Sequence, residues 1–488
     1  MSQTIKMFLS YSILHSLMAT IIFTSFSSLL GKYPFESFFP FMFFHILFSV
    51  TLSFISSPSS HSIFEPSHTF LFFAVELVYA AAFSGSSFAE SLYGLKDFRR
   101  IRFRGGLVGL VFGFHYIFKH RWILEFPIIQ RSCFFKFKKG IPLAAKSAFK
   151  LSAVAIILEV VLLEIIPCPF IKCNIGTGAF FAEQIVVFVS SYALLFLWEM
   201  THTIHRVFYT KRPVFAPPKG SAAAETNPSE RLLSALEESN PTSILRYLAY
   251  LDLHMVCENN VDTWRRAAFF EESGETYIRV IAVCLRPLEQ LASRLGEDLG
   301  NSADKPTNLL NQLSSPIDVK HAEELYDFQP YAWCSRIVAS LTACSRKEDK
   351  FGVAKLSGSN AAVISTLISC LLAVENFMGN QLLGLTGIKW TTANGRRLCI
   401  ETAKSRRLDI ATATGKRKNG PANSKAYAIA DVLKTSIYQI VSAFHDEMLA
   451  CTKASLLEKD WITSEKPLFG TRELLIEKLC LFLDCWTT

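Results

Sequence analysis

The chain has 488 residues, of which 50% are hydrophobic and 19% are charged, and its formal net charge is +8 at pH 7. Ordinary globular domains are about 25% charged, so this composition indicates that part of the chain lies in a membrane. Much of the positive charge flanks apolar stretches, where it orients membrane spans and meets anionic headgroups, and this argues against nucleic-acid binding. The 12 cysteines form no CxxC pair and no Cys/His spacing of a zinc site, so we expect no metal and no cofactor.

Apolar stretches in the first part of the chain are predicted to cross a bilayer. The first carries no formal charge over a length that suits a hydrocarbon core of about 30 Å. The fourth is short, and a re-entrant or interfacial helix is an alternative there. The six predicted spans are 8–30, 35–56, 68–90, 105–118, 151–166 and 179–198.

Six spans place both chain termini on one side of the membrane. The loop between the fourth and fifth spans is rich in lysine and arginine, as is the segment after the sixth, so the positive-inside rule predicts that both are cytosolic. Lys96, Arg99, Arg100, Arg102 and Arg104 precede the fourth span, on the side that six spans place in the lumen. Either the fourth stretch is not a true span, or these cations snorkel to the headgroups.

Small residues recur in the third and fourth stretches. Gly105, Gly109 and Gly113 are spaced by four residues and form one smooth helix face, and Ala81 and Gly85 have matching spacing in the third stretch. Small residues let two helix backbones approach closely in a membrane. The pattern predicts a packing seam between these two spans, with a chance run of glycines as the alternative.

Aromatic and basic residues alternate after the fourth stretch. Rings at the acyl boundary and cations at the phosphates are typical of a segment that lies flat on a membrane. A juxtamembrane loop without a surface role is the alternative. The residues predicted to contact the membrane surface are Trp122, Phe134, Phe135, Lys136, Phe137, Lys138 and Lys139.

Cys168 and Cys173 lie between the fifth and sixth stretches, in a loop that six spans place in the lumen. The lumen of the endoplasmic reticulum permits disulfides, and five residues of separation could close a small loop. Either a lumenal disulfide or two unpaired thiols fit the sequence.

Two acidic residues, Glu76 and Glu159, fall deep within predicted spans. A carboxylate in a span is costly, and transporters use such groups for proton or ion coupling. A multi-pass transporter or channel of the endoplasmic reticulum or nuclear envelope that uses these two residues is therefore an alternative function.

The chain changes character after residue 212. Residues 213–230 are rich in Pro, Ala, Ser and Gly and predict a linker between a transmembrane domain at 1–212 and a soluble domain at 231–488. We expect no apolar stretch long enough to cross a bilayer in the second half, where apolar residues recur at three- and four-residue spacing. The predicted fold class is all-α, with an N-terminal six-helix transmembrane bundle and a soluble helical C-terminal domain. No nucleophile elbow, phosphate loop or metalloprotease motif is present, so we expect no enzyme.

Three stretches of the second half combine charged and aromatic residues. The first contains Asp252 and then Trp264, Arg265, Arg266, Phe269 and Phe270; the others are 348–353 (EDKFGV) and 433–438 (LKTSIY). In this order, and after six spans, they resemble the multi-spanning pore-membrane nucleoporin family, the Ndc-type nucleoporins of the nuclear pore complex. The resemblance covers most of the chain.

The resemblance implies a transmembrane nucleoporin that anchors the pore scaffold in the pore membrane and supports pore assembly and nucleocytoplasmic transport. It implies that the C-terminal half faces the cytosolic or pore side of the nuclear envelope. The implied partners are the pore membrane, an ALADIN-type WD-repeat protein and the RRM-fold linker nucleoporin of the inner ring, without direct nucleic-acid binding. Trp and Arg are enriched at interface hot spots, so Trp264, Arg265, Arg266, Phe269 and Phe270 form a candidate partner interface, with packing inside the domain as the alternative.

Overall fold

A computed structural model of the chain divides into two compact units. Unit 1 comprises Met1–Pro213 with Thr242–Ile244, and unit 2 comprises Val214–Pro241 with Leu245–Thr488. The structure describes residues 2–29, 35–58, 68–93, 98–126, 130–165, 177–218, 220–238, 240, 243–258, 262–302, 328–386, 421–453 and 456–484.

Long helices make up the described part of unit 1. Helical backbone satisfies its own N–H and C=O groups, which is what a segment needs where water is absent. The helices are α1 (Ser2–Leu29), α2 (Phe35–Ile55), α3 (His68–Tyr93), α4 (Phe98–Phe118), α5 (Cys133–Ile165) and α6 (Thr177–Tyr209).

The core of unit 1 is aromatic. Phe41 and Phe48 of α2, Phe112 of α4 and Trp198 of α6 are fully buried and belong to one cluster. The Trp198 ring lies 5.2 Å from the Phe112 ring and 5.8 Å from the Phe48 ring, centroid to centroid. Large rings at these positions fill the space between helices and provide much of the contact area that holds them together.

The described residues contain no β-strand, but one isolated parallel bridge joins Ser57 to Ile123. The Ser57 N–H donates to the carbonyl oxygen of Trp122 at 3.1 Å, and the Leu124 N–H donates to that of Ser57 at 2.9 Å. The bridge ties the chain just after α2 to the chain just after α4.

Unit 2 is also helical throughout its described part. Its elements are α7 (Ala222–Thr226), α8 (Glu230–Leu236), α9 (Ile244–Glu258), α10 (Thr263–Ala267), a 3₁₀ turn (Ala268–Phe270), α11 (Glu275–Ser302), α12 (Phe328–Glu348), α13 (Val353–Leu356), α14 (Ser359–Thr386), α15 (Pro421–Lys453), α16 (Leu457–Trp461) and α17 (Arg472–Asp484). The prediction of a nearly all-helical fold is confirmed. Helix α7 lies within the predicted linker at 213–230. The N–H of Phe215, in the same segment, donates to Asp252 at 2.9 Å. The linker stays a prediction.

Helix α14 is the centre of unit 2. It packs against α11, α12, α15, α16 and α17, and its apolar residues from Val363 to Met378 are buried. A helix surrounded by others has no broad water-facing stripe, so its sequence is mainly apolar.

Four helices among the described residues are long and apolar enough to cross a membrane, judged by length and composition: Ser37–Ile55, Phe70–Ala89, Gln184–Tyr209 and Ser359–Met378. The first three coincide with predicted spans two, three and six. The fourth lies in α14, so the expectation that the second half holds no stretch of this kind is wrong. The window in α14 is 78% buried by its own unit, which accounts for its composition without a membrane. The total of six spans stays a prediction.

Candidate functional site

The first motif of unit 2 contains two adjacent arginines that bind different acids. Arg265 donates to Asp252 through Nη2 at 2.8 Å and Nη1 at 3.3 Å. Both side chains are buried, and Asp252 also accepts the N–H of Phe215. A buried carboxylate needs such a set of donors, because an unpaired buried charge is costly.

Arg266 joins three helices. Its Nε donates to Glu348 Oε2 at 2.9 Å, and its Nη2 donates to the other carboxylate oxygen. Its Nη1 donates to the carbonyl oxygen of Cys257 at 3.1 Å. The same oxygen accepts a hydrogen bond from the Ser340 hydroxyl at 2.8 Å. The guanidinium therefore connects α10 to the end of α9 and to α12, and the planar fork of arginine suits this bidentate geometry.

The second motif forms a closed turn between α12 and α13. Asp349 accepts the N–H groups of Val353 at 3.0 Å and Ala354 at 2.9 Å. Gly352 has φ +69°, a backbone conformation that glycine adopts without steric cost. The turn directly follows Glu348, so the first two motifs form one network.

The third motif lies in α15, which packs against both α12 and α14. Leu433 and Ile437 are fully buried. The ammonium group of Lys434 lies 3.1 Å from the carboxylate of Glu375, which also accepts from Lys478 at 2.7 Å. Burial alone raises the pKa of Glu375, but the two ammonium groups outweigh it and hold that pKa below its usual value. The three motifs thus lie at helix–helix contacts inside unit 2.

The burial of the Trp264–Phe270 cluster does not support the partner interface that we expected there. Arg265, Arg266, Phe269 and Phe270 are each 5% exposed or less, and Trp264 is half-buried. Side chains enclosed in their own unit present no surface to a partner. Packing within the domain, the alternative reading of this cluster, is what the structure shows for the four buried residues.

In unit 1 the structure brings α3 and α4 together along the small-residue faces. A Cβ atom added to Gly105 would overlap the carbonyl oxygen of Gly85, and one added to Gly109 would overlap that of Ala81. A Cβ on Gly113 would lie 2.9 Å from Val78 Cγ2. The two backbones touch because glycine leaves no side chain between them.

Two ion pairs hold further helices of unit 1, and neither pairing has a local sequence signal. Arg104 of α4 pairs with Glu159 of α5, and both are buried. Arg121 binds Glu199 of α6 through two hydrogen bonds of 2.6 and 2.7 Å. The Ser147 hydroxyl donates to the same carboxylate at 2.9 Å. Charges inside a membrane domain are tolerated when they are paired in this way.

The predicted membrane-surface residues separate into two groups. Phe134 and Phe135 are 67% and 60% exposed, Lys138 and Lys139 are exposed, and Lys136 and Phe137 are half-buried at the start of α5. Trp122 is only 3% exposed, and its ring packs 4.9 Å from that of Phe70. The surface role expected for Trp122 is therefore corrected, because the bridge beside it holds the ring inside unit 1.

The cysteine pair and Glu76 are the remaining candidates. Cys168 and Cys173 lie outside the described residues. Glu76 is half-buried in α3. Among the described residues, no three His, Cys, Asp or Glu side chains are grouped so that they could hold a metal ion.

Comparison with known families gives one match over residues 100–327 and 318–450, to the family described as Nucleoporin protein Ndc1-Nup. The matched region contains α4 from residue 100 onward, α5, α6 and all three motifs of unit 2. No curated protein matches the chain.

Proposed function

The chain belongs to the Ndc1-Nup family of nucleoporins, and from this we propose that it anchors the nuclear pore scaffold in the pore membrane. The family is a structural kind of protein, not an enzymatic one. In the proposal, unit 1 lies in the membrane where the two nuclear membranes join. Unit 2 lies on the cytosolic or pore side and binds scaffold proteins, which supports pore assembly and transport through the pore.

The exposed surface of unit 1 carries the proposal. Large apolar side chains point outward from its helices, among them Ile13 at 68%, Phe43 at 63%, Phe72 at 67% and Val75 at 70% exposure. Water disfavours contiguous apolar surface of this kind, whereas the hydrocarbon core of a bilayer accommodates it. These side chains support insertion of unit 1 in lipid.

The proposed partners of unit 2 are an ALADIN-type WD-repeat protein and the RRM-fold linker nucleoporin of the inner ring. Family membership and the helical architecture of unit 2 support a scaffold contact. Four of the five residues of the Trp264 cluster are buried within unit 2, which does not support placing the contact there.

The transporter alternative requires Glu76 and Glu159 to exchange protons or ions. Glu159 is buried against Arg104, so a structural ion pair already accounts for its place in a helix. Glu76→Gln is the cleaner test, since it leaves that pair intact. An anchor retains its location and stability, whereas a carrier loses turnover in vesicles.

The first experiment is the location and sidedness of the C terminus in intact cells. A tag after residue 488 is stained after digitonin, which opens the plasma membrane and leaves the nuclear envelope closed. Full permeabilisation with a stronger detergent serves as the control for total tag. A punctate nuclear rim visible after digitonin supports the proposal, and a tag that is stained only after full permeabilisation contradicts it.

A further inference from the structure

A groove opens on the surface of unit 1 between α2, α3 and α4. Its volume is about 620 Å³, within the range of small-molecule sites. Phe44 of α2, Phe83 of α3 and Phe103 of α4 form its walls, and Leu110 lies further along α4. Phe83, Phe103 and Leu110 are 42%, 37% and 38% exposed, so the groove is open to its surroundings.

The position of the groove along the helices matches one leaflet of a bilayer. Arg102 lies near the start of α4, Pro40 near the start of α2 and Ser87 near the end of α3, and all three line the groove. The groove extends along α4 from Arg102 to Leu110, which at 1.5 Å per residue is about 12 Å. One leaflet contributes about 15 Å of hydrocarbon. Arg102 therefore lies at the headgroup end.

The lining is apolar except at that end. The Ser86 hydroxyl bonds to the carbonyl oxygens of Ala82 at 3.0 Å and Arg102 at 2.9 Å, so its polar atom is used within the protein. None of the described residues that line the groove is acidic. Arg102 is exposed and offers five N–H donors, enough for more than one acceptor. Helix α4 begins with FRRIRFR, which adds positive charge at the same end.

We infer that this groove binds one anionic phospholipid, with an acyl chain along Phe44, Phe83 and Phe103 and the phosphate at Arg102. Guanidinium groups bind phosphate through paired hydrogen bonds, and the rings and Leu110 give the chain an apolar wall. The inference requires that unit 1 lies in a bilayer, but not that the bilayer is the pore membrane. A defined bilayer therefore tests it separately from the proposed function.

The test uses the full chain in nanodiscs that contain a photoactivatable phosphatidylserine or phosphatidylcholine, with labelled residues located by mass spectrometry. Leu110→Trp fills the groove, and Phe114→Trp, one turn further along α4 and outside the lining, is its matched control. Arg102→Gln removes the cation, and Lys119→Gln, just beyond the other end of α4, is its control. Phe44→Trp provides a second way to fill the groove if Leu110→Trp does not elute as a folded protein.

We expect phosphatidylserine to label the groove residues more strongly than phosphatidylcholine. Leu110→Trp should reduce this labelling to the level seen without light, whereas Phe114→Trp should not change it. Arg102→Gln should weaken phosphatidylserine binding about tenfold, as loss of a charge-assisted hydrogen bond predicts, and abolish the preference. Equal labelling by both lipids, or labelling that neither Trp variant in the groove reduces, would overturn the inference.

Discussion

The guanidinium of Arg266 in α10 holds the carboxylate of Glu348 at the end of α12 with two hydrogen bonds, across 82 positions of sequence. Arg266 is 5% exposed, so the carboxylate balances a cation that water scarcely reaches. The pair joins the first two family motifs of unit 2 and makes each depend on the other.

Glu348→Ala should therefore destabilise unit 2. It removes the carboxylate that accepts two of the three hydrogen bonds described for the buried Arg266 guanidinium, and breaking such a pair costs about 3 kcal/mol. Native-state hydrogen exchange of the full chain should show this loss at the amides of α9, α10 and α12.

The matched control for Glu348→Ala is Glu237→Ala. Glu237 pairs with Arg279, but those side chains are 40% and 31% exposed, so its loss should cost less than about 1 kcal/mol. Equal effects of the two substitutions would show that the buried pair contributes no more than a surface pair.

Asp349→Ala should loosen the turn between α12 and α13. It removes the acceptor of the Val353 and Ala354 N–H groups, and we expect a loss of about 1–2 kcal/mol in the free energy of unfolding. Proteolysis within 349–358 should become faster. Asp446→Ala is the control, because Asp446 is 86% exposed, and it should leave the rate of proteolysis unchanged.

Gly105→Ala should separate α3 from α4. The new methyl group meets the backbone carbonyl of Gly85, which cannot rotate away, and overpacking of this kind costs about 1–3 kcal/mol or more. The thermal midpoint of the detergent-solubilised protein is the measurement. In the neighbouring Gly106→Ala the nearest atom to the methyl group is the Ser86 hydroxyl oxygen, at 3.1 Å, and the effect should be smaller. The reverse order would contradict the seam.

His254 should make the stability of unit 2 depend on pH. Burial lowers the pKa of His254 to about 4, and the positive charge of Arg336 contributes in the same direction. Between pH 6.5, the ordinary pKa, and about pH 4, His254 is protonated in the unfolded chain but not in the folded chain. The free energy of unfolding therefore falls as the pH falls through this window, by at most about 3 kcal/mol.

Unfolding of wild type and His254→Gln at pH 7 and pH 4.5 checks this. The comparison uses the difference between the two pH values, so a uniform loss of stability in the variant does not affect it. The variant should show the smaller difference. An equal difference in both proteins would mean that His254 does not contribute to the pH dependence.

The glycine face of α4 could be predicted because its signal is local. A spacing of four residues places Gly105, Gly109 and Gly113 on one side of any helix, and small residues in α3 indicate the neighbour. The partners of Arg265 and Arg266 could not be predicted in this way. Adjacent residues on a helix point about 100° apart, and their acids lie 13 and 82 positions away in the sequence.

Trp122 shows the same limit in unit 1. An aromatic residue beside basic residues is typical of a membrane surface, and this pattern fits the exposed Phe134 and Phe135. The bridge from Ser57 to Ile123 turns the Trp122 ring inward instead. An isolated bridge depends on how α2 and α4 approach each other, and that approach has no local sequence signal. The pairing of Arg104 with Glu159 depends on α4 and α5 in the same way.

The apolar window of α14 has a consequence for the synthesis of this protein, because it suits both membrane insertion and burial in unit 2. Ser359–Met378 has the length and hydropathy of the helices that are inserted into the membrane of the endoplasmic reticulum during synthesis. Its folded position depends on α11, made before it, and on α15, made after it. The helices that follow α14 are thus absent when it leaves the ribosome, so we expect packing against α11 to compete with insertion. Insertion of α14 would place the residues that follow it on the other side of the membrane.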